Sequence, residues 1–207
     1  MTINSMVKAC LTALLFLLAP GYAAASEYGQ EEISWQYIDL RYLQPSNKDT
    51  WGFSGEVSGH ITEKWILQGR ANRLQRKDKD VDLEMSQMRY DLAVGRTFAF
   101  TDRVGMLVSA GYTHIDYSTE IGTIQEDEKS DAASLQAVLR ARFAGSFEAE
   151  GGIGMLFDDE DTSDVLWNVA LRWWASDAVS LVVGANGTEE FDGDDILYEI
   201  GFRFDLR

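Results

Sequence analysis

His114, Asp116 and Ser118 stand at alternate positions, so on an extended strand all three project from one face, beside Tyr112. Histidine as base, serine as nucleophile and an orienting carboxylate make a hydrolytic set if the three can touch. The competing reading is a run of polar side chains where a strand leaves an apolar surroundings, and we take that one. His60, the other histidine, falls opposite Ile66 on a polar face and is expected to fill space rather than bind a ligand. With two histidines and Cys10 as the one cysteine, little is left for a transition-metal site, and no cofactor is expected. Acidic runs occur at Glu126-Asp-Glu128, at Asp158-Asp-Glu-Asp161 with Asp164, and at Glu189-Glu-Phe-Asp-Gly-Asp-Asp195. The stretch from Asp158 to Asp164 lacks the glycine and terminal glutamate of a calcium loop, so solvated loop charge is the better account. Gly151-Gly-Ile-Gly154 follows no phosphate-loop pattern and reads as small residues in a strand.

A larger set of charges recurs with strict alternation. Arg41, Arg70, Arg89, Arg140, Arg142, Arg172 and Arg203 share the polar parity of their segments with Asp39, Glu56, Asp91, Glu148, Glu150, Glu199 and Asp205. Equal numbers of each sign suit mutual pairing in a confined interior. Reflection through two tight turns sharpens this, because antiparallel register places mirror positions opposite each other. About Glu63, Ile61 meets Trp65 and Glu56 meets Arg70. About Gly145, Phe143 meets Phe147, Arg142 meets Glu148, and Arg140 meets Glu150. Apolar pairs fall on one face and opposite charges on the other. Glu56–Arg70, Arg142–Glu148 and Arg140–Glu150 are therefore the expected ion pairs.

The composition says which kind of chain must hold these charges. Its 207 residues are 45% hydrophobic, which excludes intrinsic disorder, and its net charge of −16 argues against nucleic acid as a partner. Lys8, the apolar Leu11-Thr-Ala-Leu-Leu-Phe-Leu-Leu18 and the small residues Ala23 and Ala25 form a secretory signal over 1–25, cut before Ser26. Cleavage removes Cys10. No apolar run long enough for a membrane helix occurs after it. An exported chain without disulfides needs another source of stability, and a closed hydrogen-bonded barrel is one.

Residues 26–207 read as hairpins. Period-two segments fall at 33–43, 52–61, 65–74, 84–100, 104–116, 132–143, 147–157, 165–175, 179–187 and 196–206, about ten strands, with eight as the alternative. Tight connections at Thr62-Glu63-Lys64, Thr101-Asp102-Arg103, Ala144-Gly145-Ser146 and Ser176-Asp177-Ala178 alternate with longer polar ones around Pro45, Lys77, Gln125, Asp161 and Asp192. Pro45 lies in a loop, so no strand loses a ladder hydrogen bond. The expected fold is all-β, an antiparallel up-and-down transmembrane β-barrel.

Alternation alone also fits a soluble barrel with an apolar interior. Two features favour the membrane barrel, the equal charges on the polar parity and the placement of the aromatics, and a soluble periplasmic barrel stays as the fold-level alternative. On the apolar parity, Trp65, Phe98, Phe143, Phe147, Trp173 and Phe204 lie by the tight turns. Tyr42, Phe53, Tyr112, Phe157, Trp167 and Tyr198 lie by the long connections. Two aromatic girdles are what a bilayer's two interfaces select. Arg96 alone breaks the apolar parity, so it is expected to snorkel from near a rim or to sit at a bulge beside Gly95.

With these features the chain resembles the small outer-membrane β-barrel proteins of Gram-negative bacteria, the group containing the OmpA-type transmembrane domain. The most specific shared element is the C-terminal assembly signal, matched here by Glu199-x-Gly201-x-x-Phe204-x-Leu206. The family usually ends on an aromatic residue, whereas here Leu206 is followed by Arg207. The resemblance implies the outer membrane as location and the barrel-assembly machinery as a transient partner. Outer-membrane lipid and lipopolysaccharide would surround the barrel, with the series Arg70, Arg73, Arg76, Lys77 and Lys79 available to their phosphates. Lipid A deacylases of that membrane carry a His-x-Ser-Asn order that His114-Ile-Asp-Tyr-Ser118 lacks. The expected function is a monomeric, non-enzymatic structural barrel or narrow passive pore. The alternatives are a lipid hydrolase using His114 and a surface protein that binds through its loops.

Overall fold

The computed structural model describes residues 33–46, 50–78, 83–121, 124–143, 146–158, 163–188 and 196–206. Segment 1–25, expected to be a secretory signal, and the acidic stretches 159–162 and 189–195 lie outside them. Period-two alternation becomes ten strands: β1 (Tyr37–Pro45), β2 (Thr50–His60), β3 (Trp65–Asp78), β4 (Leu83–Thr101), β5 (Val104–Ile121), β6 (Ile124–Phe143), β7 (Phe147–Asp158), β8 (Ser163–Trp174), β9 (Val179–Thr188) and β10 (Leu197–Asp205). Each pairs antiparallel with its neighbours in sequence, and β1 closes on β10. Closure satisfies the backbone without an exposed sheet edge, as a bilayer requires. Among the described residues there is no helix.

The pleat sorts side chains as the sequence alternates. All twelve girdle aromatics point out of the barrel and are 36–56% exposed, whereas the charged parity is turned inward. This excludes the soluble alternative, whose apolar face would be hidden. Within the outer girdle, Tyr42 meets Phe53 edge to face at 5.6 Å. Phe143 and Phe147 stack across the opposite rim at 6.1 Å.

Several boundaries differ from the sequence reading. β5 and β6 continue to Ile121 and from Ile124, so the region around Gln125 is strand rather than loop, and Glu126-Asp-Glu128 lies within β6. Hydrophobic alternation cannot mark this stretch, because both faces are polar over 118–120 and 125–131 and Ile121 and Ile124 stand isolated at the tip. β3 likewise extends through Lys77, which pairs with Glu84 at 2.8 Å. Pro45 is the last residue of β1, opposite Leu197; the N–H of Ser46 reaches Ile196 O at 2.9 Å. As a terminal strand residue, the proline interrupts nothing. β4, β5 and β6 have 19, 18 and 20 residues, against 9 in β1 and in β10. A tilted strand needs about 9–11 residues to cross a bilayer, so these three stand as a tall wall above it.

The bulge near Arg96 lies not at Gly95 but between Ala99 and Thr101, where the β4–β5 register shifts ahead of the tight turn. Arg96 is exposed, level with the girdle residue Trp65, and its guanidinium sits 5.3 Å from the centre of the Phe98 ring. That position fits snorkelling toward the rim. The first strand also begins later than expected, at Tyr37. Residues 33–36 leave the wall and enter the barrel.

Candidate functional site

Among the described residues, functional groups converge most densely in the interior of the barrel. Ten strands enclose more width than side chains of ordinary length can fill, so long arginines reach across it. At the seam, Arg203 Nε and Nη2 donate to Asp39 Oδ2 at 2.9 and 2.8 Å. Arg41 Nη2 also holds Asp39 Oδ2, at 2.6 Å, and its Nη1 binds Glu199. Arg70 Nη2 faces Glu56 Oε2 at 2.5 Å across the β2–β3 pair. Arg140 Nε lies 2.8 Å from Glu150 Oε2, and Arg142 Nη2 lies 3.5 Å from Glu148 Oε2. Arg172 ties these two carboxylates together, at 2.5 Å from Glu148 Oε1 and 2.5 Å from Glu150 Oε2. Arg89 pairs with Asp91 at 3.0 Å, and Thr113 Oγ1 donates to the same carboxylate at 2.6 Å.

Thus all six residues of the two reflected hairpins come together in the lumen. Sequence reflection joins them two by two, whereas folding makes a belt. Arg172 links β8 to β7, Asn186 on β9 reaches Glu199, and Arg203 links β10 to β1. Arg140, Arg172 and Arg203 are at most 2% exposed. Burial of so many charges stabilises little by itself, because desolvation offsets the Coulombic attraction. Its effect is to fill the lumen with side chains that have nowhere else to go.

Two aromatic residues that sequence reasoning passed over organise this belt. Tyr37 shares the parity of Asp39 and Arg41, and its ring crosses the lumen with the Arg203 guanidinium 3.6 Å from its centre. Its hydroxyl donates to Glu56 Oε1 at 2.5 Å and accepts from Arg140 Nη2 at 3.1 Å. Trp35 lies on the other side of Arg140, whose guanidinium is 4.1 Å from the indole. Cation–π stacking of this kind strengthens once water is excluded. For Tyr37 the signal was present in the sequence, since it carries the inward parity of β1. A small cavity remains between Tyr37, Glu56, Gln136, Arg140, Asn168 and Arg203.

The other candidates fall elsewhere. His60 does not fill the lumen; it is exposed at the end of β2, with Nδ1 3.2 Å from Thr62 O in the turn. His114, Asp116 and Ser118 share the outward face of β5, above the girdle residue Tyr112 and outside the bilayer. His114 Nδ1 is 2.5 Å from Asp131 Oδ1, and its Nε2 is 3.3 Å from Asp116 Oδ1. Both ring nitrogens therefore face carboxylates. The hydrogen bond to Asp131 raises the histidine pKa above its ordinary value, with further support from the charge on Asp116. Ser118 instead bonds Asp127. The base and the nucleophile of the hydrolytic reading are thus held by different partners.

The residues expected to form the assembly signal lie on the last strand and just beyond it. Glu199 points inward to Arg41, Phe204 points outward, and Leu206 lies just past β10, its N–H bonded to Gln36 O at 3.0 Å. Gly201 faces Arg41 across the seam. A Cβ there would overlap the Leu40 carbonyl oxygen and crowd the Arg41 backbone, so only glycine lets the two end strands close.

Comparison with known proteins agrees with this architecture. No curated protein matches the chain. Among solved structures, the NanC porin shares the fold with a TM-score of 0.54 at 11% identity, covering 81% of this chain and 99% of NanC. Ail, the attachment invasion locus protein of Yersinia pestis, aligns at 14% identity over 82% of this chain and 99% of Ail, with a TM-score of 0.44. The N-terminal β-barrel domain of Pseudomonas aeruginosa OprF aligns at 13% identity over 83% of this chain and all of that domain, with a TM-score of 0.42. The family model for the outer membrane protein beta-barrel domain matches residues 9–204. A closed ten-stranded wall with an apolar outside, matched by that model over nearly its whole length, places the chain in the outer membrane as a member of the outer membrane protein beta-barrel family.

Proposed function

We propose that this barrel is a non-enzymatic, narrow passive pore whose lumen is throttled by paired charges. The observation that carries the reading is the belt itself: Arg140, Arg172 and Arg203 are buried in the lumen and held by Glu148, Glu150 and Asp39. Such a belt excludes organic solutes of any size and leaves room for water and small ions alone. The chain's net charge of −16 favours cations at its entrances. NanC, whose fold it shares, is itself a porin. The barrel works as a monomer among outer-membrane lipid and lipopolysaccharide. It reaches them after signal cleavage, by way of the barrel-assembly machinery that reads Glu199, Gly201, Phe204 and Leu206.

The test is single-channel recording in a planar bilayer, with a heat-dependent gel shift to verify folding. Small cation-selective steps are expected. Large unselective steps, or selectivity for anions, would contradict the reading. Hydrolysis of envelope lipid has no support in the engagement of His114 and Ser118 by separate carboxylates. Lipid A mass spectra should accordingly be unchanged when the gene is deleted or overexpressed.

A second reading, surface binding, is favoured by the tall wall. Ile121 and Ile124, 53% and 70% exposed, stand at its tip far above the bilayer. Trimming that hairpin should abolish such binding while leaving the heat shift intact.

A further inference from the structure

The lumen wall carries an apolar socket at the rim of the tight turns. Ile66, Leu107 and Val138 break the polar parity of β3, β5 and β6, and all three are buried. On β4 between them stands Gly95, where a Cβ would collide with the Leu107 side chain. These are the wrong residues for a water-filled channel, and their positions are occupied by another part of the chain. Residues 33–36 turn into the barrel, where Ser34 Oγ accepts from the N–H of Gln36 at 3.3 Å, a short side-chain turn. Trp35 then seats against Ile66, Leu107 and Val138 with Ile33 beside it. Three further contacts hold the segment. Arg140 stacks on the indole, Arg140 Nη1 donates to Ser34 O at 3.1 Å, and Ser58 Oγ donates to Trp35 O at 2.7 Å.

We propose that residues 33–36 are a removable plug that closes the lumen at the tight-turn rim, with Trp35 as stopper and Arg140 as latch. The wall around the segment is continuous without it: β1 pairs with β2 and β10 from Tyr37 onward. Withdrawal would break these contacts and the one backbone bond from Leu206 N–H to Gln36 O, and leave the ladder from Tyr37 onward whole. It would also take from Arg140 its contacts with the indole and with Ser34 O and leave it to Glu150 and Tyr37, so the plug is coupled to the charge belt through that one residue. The inference rests on the pore reading above, since a plug matters only to a lumen that something enters.

The test uses the protein purified from outer membranes and reconstituted in liposomes. Cys10, the one native cysteine, leaves with the signal segment, so Gln136→Cys in the luminal cavity is the only thiol. A small cationic methanethiosulfonate reagent is added to both faces and the modification rate is measured. Trp35→Ala should speed modification at least tenfold, Ser58→Ala should speed it less, and Trp35→Phe should stay slow. Should Trp35→Ala lose its heat shift, Ser58→Ala and Trp35→Phe carry the comparison. Equal rates across the folded variants would overturn the plug. Planar-bilayer recording of the same variants separates the two ideas. A fast thiol in a silent barrel upholds the plug and contradicts the pore. A conducting barrel with unchanged thiol rates upholds the pore and contradicts the plug.

Discussion

Arg203 and Asp39 meet across the seam of the barrel, Nη2 to Oδ2 at 2.8 Å, so the last strand is joined to the first by a buried ion pair as well as by its ladder. Breaking that pair from one side strands a charge. Asp39→Asn leaves Arg203 and Arg41 with one carboxylate fewer, and should destabilise the barrel by about 3 kcal/mol. Replacing the pair with apolar side chains, Asp39→Leu with Arg203→Met, should restore most of the loss. Urea unfolding in detergent micelles, followed by tryptophan fluorescence, checks both.

Gly201 supplies a second test of the seam. Gly201→Val should prevent closure, because its side chain has no space beside Leu40 and Arg41. The protein should then run at one position on a gel whether heated or not. Gly59→Ala is the control, since a Cβ there meets nothing within 4 Å.

Outside the bilayer, His114 should titrate above the ordinary histidine value of about 6.5. Its charged form is held by Asp131 and Asp116. Because the folded-state pKa is raised, the stabilisation is fully present below the unfolded value and is lost as pH rises through the folded one. NMR titration in micelles should show the raised value, and Asp131→Asn should lower it. A His114 that titrates identically with and without Asp131 would contradict the pairing.

Strand order, register and the direction of each face were legible in the sequence, because a bilayer enforces alternation over every strand that crosses it. The hairpin pairs followed from the same rule, since tight turns fix register. Legibility ended where that constraint ends. The upper parts of β5 and β6 are polar on both faces up to the isolated Ile121 and Ile124, so their pairing around Gln125 leaves no hydrophobic alternation. Arg172 could be assigned to the lumen but not to Glu148 and Glu150 together, because a three-body contact depends on side-chain reach rather than register. Trp35 was hidden by its own parity: it continues the β1 alternation, yet the chain leaves the wall before reaching it. Ile66, Leu107 and Val138 carried the missing clue as apolar residues on a polar face.

The central claim is that paired charges, rather than the width of the wall, limit what passes. It is tested most directly by single-channel conductance of the double variant Arg140→Ser with Glu150→Ser beside the wild type, each verified by heat shift. Removing both signs leaves Arg172 with Glu148 and strands no charge. The account predicts a several-fold larger step in the variant, with cation preference retained. Equal conductance in two folded barrels would contradict it.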